Sequence, residues 1–237
     1  MFTTITLNPA LDKIVSTEQI QIGEVNRVVC KNASPAGKGI DVAKVLRDLG
    51  CHVAGSGFLG GSVAPVFTSF FHEEGIEDYF VPIAGATRTN LQIFDSQNRR
   101  TELLERGPRV SDEECEQLLK TAQTLFAKSR VVTLCGSAPS GVDATYFCRL
   151  IRMAKEAGAL VIVDTSGEFL AASLKEKPHL IKPNQYEMAA LMGTAAENAE
   201  ALTRQQVMEY ARKIVQDGVA YVMVSLGRDG AMLVCPQ

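Results

Sequence analysis

Six short apolar runs rich in β-branched residues recur along the chain, with amphipathic helical patterns between them. The runs are 2–7 (FTTITL), 53–58 (VAGSGF), 130–136 (RVVTLCG), 159–164 (ALVIVD), 179–183 (HLIKP) and 220–227 (AYVMVSLG). Helical period occupies 40–49, 63–74, 111–128, 143–157, 184–192 and 203–217. Strands that are apolar throughout, instead of alternating, must be covered on both faces, and helices between them supply the cover. The pattern predicts an α/β fold: a mostly parallel sheet with helices on both sides. Ser111 stands as an N-cap with Glu114 three residues on, the spacing of a capping box.

Two segments interrupt the alternation. Residues 12–32 and 87–105 are polar and extended, and the second holds two strand-like runs around DSQNRR, which reads as a hairpin. They predict a small β lid inserted into one α/β domain that spans residues 1–237. Open α/β sheets bind ligands beyond the strand C-termini, where such a lid can close.

The chain is long enough for a full core, and a net charge of −3 with dispersed basic residues argues against a nucleic-acid surface. The six cysteines (30, 51, 115, 135, 148, 235) form no Cys-x-x-Cys pair and the histidines (52, 72, 179) lie far apart, so zinc spacing is missing. Reduced cysteines packed as small hydrophobes are expected instead. The start, MFTTITLNPALD, lacks the pattern of a signal peptide, and no run approaches the ~18 apolar residues of a membrane span. A cytoplasmic protein without membrane contact is expected.

Three motifs bear on chemistry. SPAGKGIDVA places Gly37, Lys38 and Gly39 ahead of a helix start, equipment for an anion, yet Gly39 stands where a P-loop needs Ser or Thr. Gly55 to Gly60 spell G-x-G-x-x-G, which taken alone points to a dinucleotide site. It follows the second core strand, however, and reads better as a tight turn than as a nicotinamide site. In LIKPNQYE, Asn184 and Glu187 share a helical face and suit the water shell of a magnesium ion, although an N-cap and a first-turn acid would look the same. CGSAPSG and VSLGRDGA are compatible with plain turns.

In series, TLNPALD, GEVNRV, AGKGIDVAKVLRDLG, GFLGG, TRTN, TELLERGP, GSAPSGV, VDTSGE, KPNQYE and VSLGRDGA resemble the PfkB (ribokinase-like) carbohydrate kinases, nearest the 1-phosphofructokinase and tagatose-6-phosphate kinase branch. The resemblance runs from Phe2 to Val234, and TELLERGP leans to the tagatose-6-phosphate side. It implies ATP-dependent phosphorylation of a ketose phosphate (tagatose 6-phosphate, or fructose 1- or 6-phosphate) to the bisphosphate. By the same resemblance Asp12, Gly37, Lys38, Gly39, Asp41, Arg88 and Ser137 bind the acceptor. Lys182, Asn184, Glu187, Ser225, Gly227 and Gly230 bind ATP, with Glu187 and Asn184 holding Mg2+ through water. A homodimer through the β lid is a further implication.

Two departures qualify it. Asp41 stands where the family usually has Asn; an ionised carboxylate only accepts hydrogen bonds, which opens the identity of the acceptor. No Gly-x-Gly-Asp, the family's catalytic motif, occurs in these 237 residues, so by the resemblance the domain is expected to be C-terminally incomplete, a truncated or partial form of such a kinase. A positioned base and an anion hole each contribute ~10²–10³ or more, so impaired transfer is expected, and a non-catalytic sugar-phosphate-binding protein stands as the alternative. A nicotinamide oxidoreductase built on Gly55 to Gly60 is the third and weakest reading.

Overall fold

The computed structural model describes residues 1–194 and 202–236. Among them, nine strands form the main sheet and four form a second, smaller one. The main sheet begins with β1 (Phe2–Thr6), which pairs in parallel with β4 (Val53–Gly60) on one side and β9 (Val131–Cys135) on the other. From β9 the sheet continues in parallel through β10 (Leu160–Asp164), β11 (Leu180–Ile181) and β12 (Tyr221–Ser225), then ends in antiparallel β13 (Ala231–Val234). Two strands that local sequence does not announce, β5 (Glu77–Asp78) and β6 (Val81–Ile83), extend the sheet beside β4.

Alternate residues of a strand face opposite ways, so β4 shows why both faces need cover. Val53 and Leu59 pack in one cluster with Ile40, Phe67 and Phe71, from helices α1 (Lys38–Asp48) and α2 (Ala64–Glu74). Ala54 and Phe58 pack in the other, with α3 (Asp112–Phe126) and α4 (Ala144–Glu156). The expected capping box is present: the Ser111 side chain accepts from Glu114 N at 3.2 Å, and the Glu114 carboxylate accepts from Ser111 N at 2.7 Å. Helix α5 (Gly167–Ser173) was not expected, being too short for its period to register; α6 (Gln185–Leu191) and α7 (Arg204–Gln216) match the expected positions.

The G-x-G-x-x-G stretch is not a turn. Residues 55–60 lie wholly within β4, all of them buried. The glycines are there for close contact: a Cβ on Gly57, whose φ is +151°, would stand 1.9 Å from the Thr6 carbonyl oxygen of β1. That geometry offers no phosphate-binding loop at this position, and it removes the physical basis of the nicotinamide reading.

The smaller sheet has the order β3–β2–β7–β8, formed by β2 (Ala10–Ser16), β3 (Val29–Ala36), β7 (Arg88–Phe94) and β8 (Arg100–Leu104). The expected hairpin is β7 and β8, closed by a turn in which Asp95 accepts from the backbone of Gln97 and Arg99. Strand β1 passes through Leu7–Pro9 straight into β2, so the two sheets meet at the strand end where ligands bind in such folds. No helix among the described residues is long and apolar enough to cross a membrane.

Candidate active site

The parallel strands β1, β9 and β10 all end on the same edge, and the residues just past them line a cleft of about 440 Å³. Thr6 ends β1 and Asn8 follows it, Cys135 ends β9 and Gly136 and Ser137 follow it, and Thr165 and Ser166 follow β10. Gly37 and Lys38 enter at the start of α1, Asn184 and Glu187 at the start of α6, and Arg88 and Leu104 come from the smaller sheet. The expected loop is thus a helix start: Gly37 is the N-cap, at φ +133°, and Lys38 and Gly39 already belong to α1. A Cβ on Gly39 would sit 2.3 Å from Thr6 Oγ1, so glycine lets the helix approach β1.

The cleft is cationic at both ends. Arg88 donates to the Asn8 carbonyl through Nε (3.3 Å) and Nη2 (3.0 Å), and to the Glu105 carbonyl through Nη1 (3.0 Å). Burial lowers its pKa, an effect the fields of Asp12 and Glu105 partly offset. At the other end Asp164 carries two lysines: Lys38 Nζ lies 2.9 Å from Oδ1 and Lys182 Nζ 3.1 Å from Oδ2. Burial alone would lower the Lys38 pKa; the hydrogen bond and charge of Asp164, with Glu187 and Cys135 adding, leave it raised. The Cys135 thiol is pushed up to about 11 by burial, so at neutral pH it is a protonated packing group and no nucleophile.

Beside the cleft, and sharing Asn184 with it, runs a groove of about 740 Å³. Its walls include Leu202, Arg204 and Val207 on one side and Ser225–Gly230 on the other. Ser225 ends β12, and the turn that follows places Gly227 at φ +59° and Gly230 at φ +88° before β13 begins. Open backbone and apolar patches of this kind suit a purine and its phosphates.

Asn184 and Glu187 form a reciprocal capping box: Glu187 N donates to Asn184 Oδ1 and Asn184 N to Glu187 Oε2, both at 2.8 Å. The box leaves Glu187 Oε1 outside it. No cluster of three or more His, Cys, Asp or Glu that could hold a metal occurs among the described residues. One carboxylate oxygen in a cleft fits a magnesium ion that keeps most of its waters and arrives with nucleotide phosphates, not a closed protein cage.

Of the residues singled out in the sequence, Gly37, Lys38, Arg88, Ser137, Asn184 and Glu187 line the cleft, and Asn184, Ser225, Gly227 and Gly230 line the groove. Lys182 is tied to the cleft through Asp164. Asp12, Gly39 and Asp41 do not line it: Gly39 is buried against Thr6, and Asp12 accepts from Asn90 Nδ2 at 2.9 Å within the smaller sheet. Asp12 still acts on Arg88 and Asp41 through its charge. Sequence reasoning missed Asp164, Asn8, Thr6 and Thr165. The quoted motifs VDTSGE and TLNPALD contained all four, but only topology shows that Asp164 is shared by two lysines.

A family model described as pfkB family carbohydrate kinase matches residues 5–235. The 1-phosphofructokinase of Haemophilus influenzae is 36% identical over 229 residues, covering 97% of this chain and 72% of that protein. The 1-phosphofructokinase of Bacillus subtilis is 35% identical over 235 residues, covering 98% and 74% respectively. Among solved structures, phosphofructokinase-2 from Escherichia coli in its tetrameric inhibited form superimposes with a TM-score of 0.91 at 29% identity, over all of this chain and 77% of that one. The same protein in complex with fructose-6-phosphate gives 0.89 at 29% identity, with the same coverage. The α/β architecture, the strand-end cleft and these matches agree: the chain belongs to the pfkB family of carbohydrate kinases, ATP-dependent phosphotransferases that act on a sugar hydroxyl.

Proposed function

We propose that the cleft binds a ketose phosphate and the groove binds ATP, so that the γ-phosphoryl group faces a sugar hydroxyl between them. The observation that carries this reading is the state of Arg88. Among the described residues its guanidinium is fixed by two backbone carbonyls and by no carboxylate hydrogen bond, and two of its five N–H groups remain for a phosphate on the sugar. Fructose 1-phosphate is the acceptor best supported, since the two curated relatives described above are 1-phosphofructokinases; fructose 6-phosphate and tagatose 6-phosphate compete with it.

In this reading Gly37, Lys38, Gly39 and Ser137 face the sugar phosphate, while Asp12 and Asp41 accept from sugar hydroxyls once the smaller sheet closes as a lid. Lys182, Asn184, Glu187, Ser225, Gly227 and Gly230 serve ATP. Magnesium, held through water by Glu187 and Asn184, would supply charge neutralisation on the phosphates. Lys38 and Lys182 flank the transfer point and hold positive charge there without reorganising.

Turnover by these 237 residues is proposed to be weak. Asp164 is occupied by two lysines and Glu187 by its capping box, and no Gly-x-Gly-Asp occurs to supply a base. The test pairs two measurements. Fructose 1-phosphate should raise the melting temperature more than fructose or inorganic phosphate does, because a ligand stabilises the state it binds. A coupled assay should detect ADP release far below the ~10 s⁻¹ of an ordinary enzyme. Ligand stabilisation with no ADP release at all would favour the non-catalytic binding protein; no stabilisation by any ketose phosphate would reject the acceptor reading.

Residues Val29 and Leu103 leave the smaller sheet with exposed apolar area. A homodimer through that sheet follows from the reading, in the cytoplasm where sugar phosphates are made. Sedimentation as a monomer at every concentration would reject the dimer.

A further inference from the structure

Arg88 and Ser137 belong to different sheets, yet one buried side chain touches the anchorage of both. We propose that Asn8 is a positioning residue that fastens the smaller sheet to the main sheet and so aims Arg88 and Ser137 at the sugar phosphate; this rests on the acceptor reading of the cleft.

Asn8 follows β1 at the joint between the sheets, lines the cleft, and is 5% exposed. Its Nδ2 donates twice, to the Arg106 carbonyl at 3.0 Å and to Ser137 Oγ at 3.2 Å. The first bond staples the segment after β8 to the end of β1. Those two segments supply the carbonyls that hold the guanidinium of Arg88, one from Asn8 itself and one from Glu105, next to Arg106. Glu105 is fixed again by its carboxylate, which accepts from Thr89 N at 2.7 Å, beside Arg88 on β7. Loss of the Asn8 amide therefore frees one jaw of the cradle from the other.

The second bond orients Ser137. Because Ser137 Oγ accepts from Asn8, its hydroxyl proton is left to donate, which is the polarity a phosphate oxygen requires. The packing around the amide is tight. Gly107 has φ +97°, and a Cβ there would stand 2.3 Å from Asn8 Oδ1. That Oδ1 is buried and has no hydrogen-bond partner among the described residues. Both hydrogen bonds of the Asn8 side chain to its neighbours therefore run through Nδ2, so truncating the side chain releases Arg106 and Ser137 together.

The experiment measures the affinities of fructose 1-phosphate and of ATP by calorimetry for the wild type, Asn8→Ala, Ser137→Ala and the double variant. Asn8→Ala should weaken fructose 1-phosphate by roughly 10-fold or more and leave ATP within about twofold, because the groove shares no bond with Asn8. The double variant should lose far less than the product of the single losses, since part of the effect of Asn8 passes through Ser137. Parallel loss of ATP affinity, or losses that simply multiply, would show a general structural role and overturn the proposal. Asn8→Ser, too short to reach either partner, answers the same question should the alanine variant not fold. A wild type that binds ATP but no ketose phosphate would overturn the acceptor reading and this proposal with it; a wild type that binds both, with Asn8→Ala unchanged, overturns this proposal alone.

Discussion

Lys38 and Asp164 stand 126 residues apart in the chain, yet their side chains meet at 2.9 Å beside the cleft. Main-chain bonds from Gly136 N to the Asp164 carbonyl and from Lys182 N to the Val163 carbonyl fix the carboxylate at the strand ends, so the lysines come to it. Replacing Asp164 with Asn leaves two ammonium groups without their shared partner. Charge-assisted bonds to half-exposed lysines are worth less than fully buried ones, and the variant should lose about 1–2 kcal/mol in chemical denaturation. The sign of the pH dependence follows from Lys38, whose pKa is raised in the folded protein. Its contribution is fully present below the ordinary lysine range and fades as pH climbs through the raised value. The gap between wild type and Asp164→Asn should hold through neutral pH and narrow as pH climbs into that alkaline window.

Asp41 carries the opposite lesson. Asp41 is exposed at the surface, yet partial desolvation raises its pKa; Lys44 opposes the rise, and the charge of Asp12 adds to it. An acid whose folded pKa is raised destabilises the folded state once both states are ionised. Asp41→Asn should therefore melt slightly higher than the wild type at neutral pH, the effect being small because water screens an exposed carboxylate. The difference should vanish in acid below the ordinary aspartate range and appear as pH rises through the raised value. A wild type that melts higher than the variant at neutral pH would show that the carboxylate is satisfied by a contact other than those described.

Gly39 should tolerate no side chain. A Cβ there meets Thr6 Oγ1 at 2.3 Å and the Ile5 carbonyl oxygen at 3.0 Å, both on a buried strand. Gly39→Ala should cost about 1–3 kcal/mol, the usual range for overpacking, and should weaken acceptor binding by shifting the turn that bears Lys38. Gly193, at φ +73° with no atom of the described residues within 4 Å of its would-be Cβ, provides the contrast: alanine there meets backbone strain without crowding from them. Denaturation curves for the pair separate crowding from strain.

The alternation of apolar runs with amphipathic helices was legible because each strand must be covered twice, and that requirement is written locally. The capping box at Ser111 and Glu114 is likewise a three-residue matter. What stayed hidden depends on contacts distant in sequence. β5 and β6 have two and three residues, too few for a period to emerge, and they are strands because β4 offers them an edge. Residues 55–60 misled for the opposite reason: glycines read as a tight turn serve close strand packing inside β4, although they spell the letters of a phosphate loop. In the site, Lys38 and Arg88 could be picked out by type and motif. Asp164 could not, since a carboxylate at a strand end gains its meaning only when topology brings two lysines to it.

The central claim, that the cleft is built for a sugar already carrying a phosphate, is tested most directly by calorimetry of fructose 1-phosphate and of fructose on the wild type, Arg88→Ala and Asp12→Ala. The account predicts that the wild type prefers the phosphorylated sugar by at least tenfold, about 1.4 kcal/mol. Arg88→Ala should erase that preference, and Asp12→Ala should weaken the phosphorylated sugar through lost hydroxyl contacts. A wild type that binds both sugars equally, or an Arg88→Ala variant with the preference intact, would contradict it.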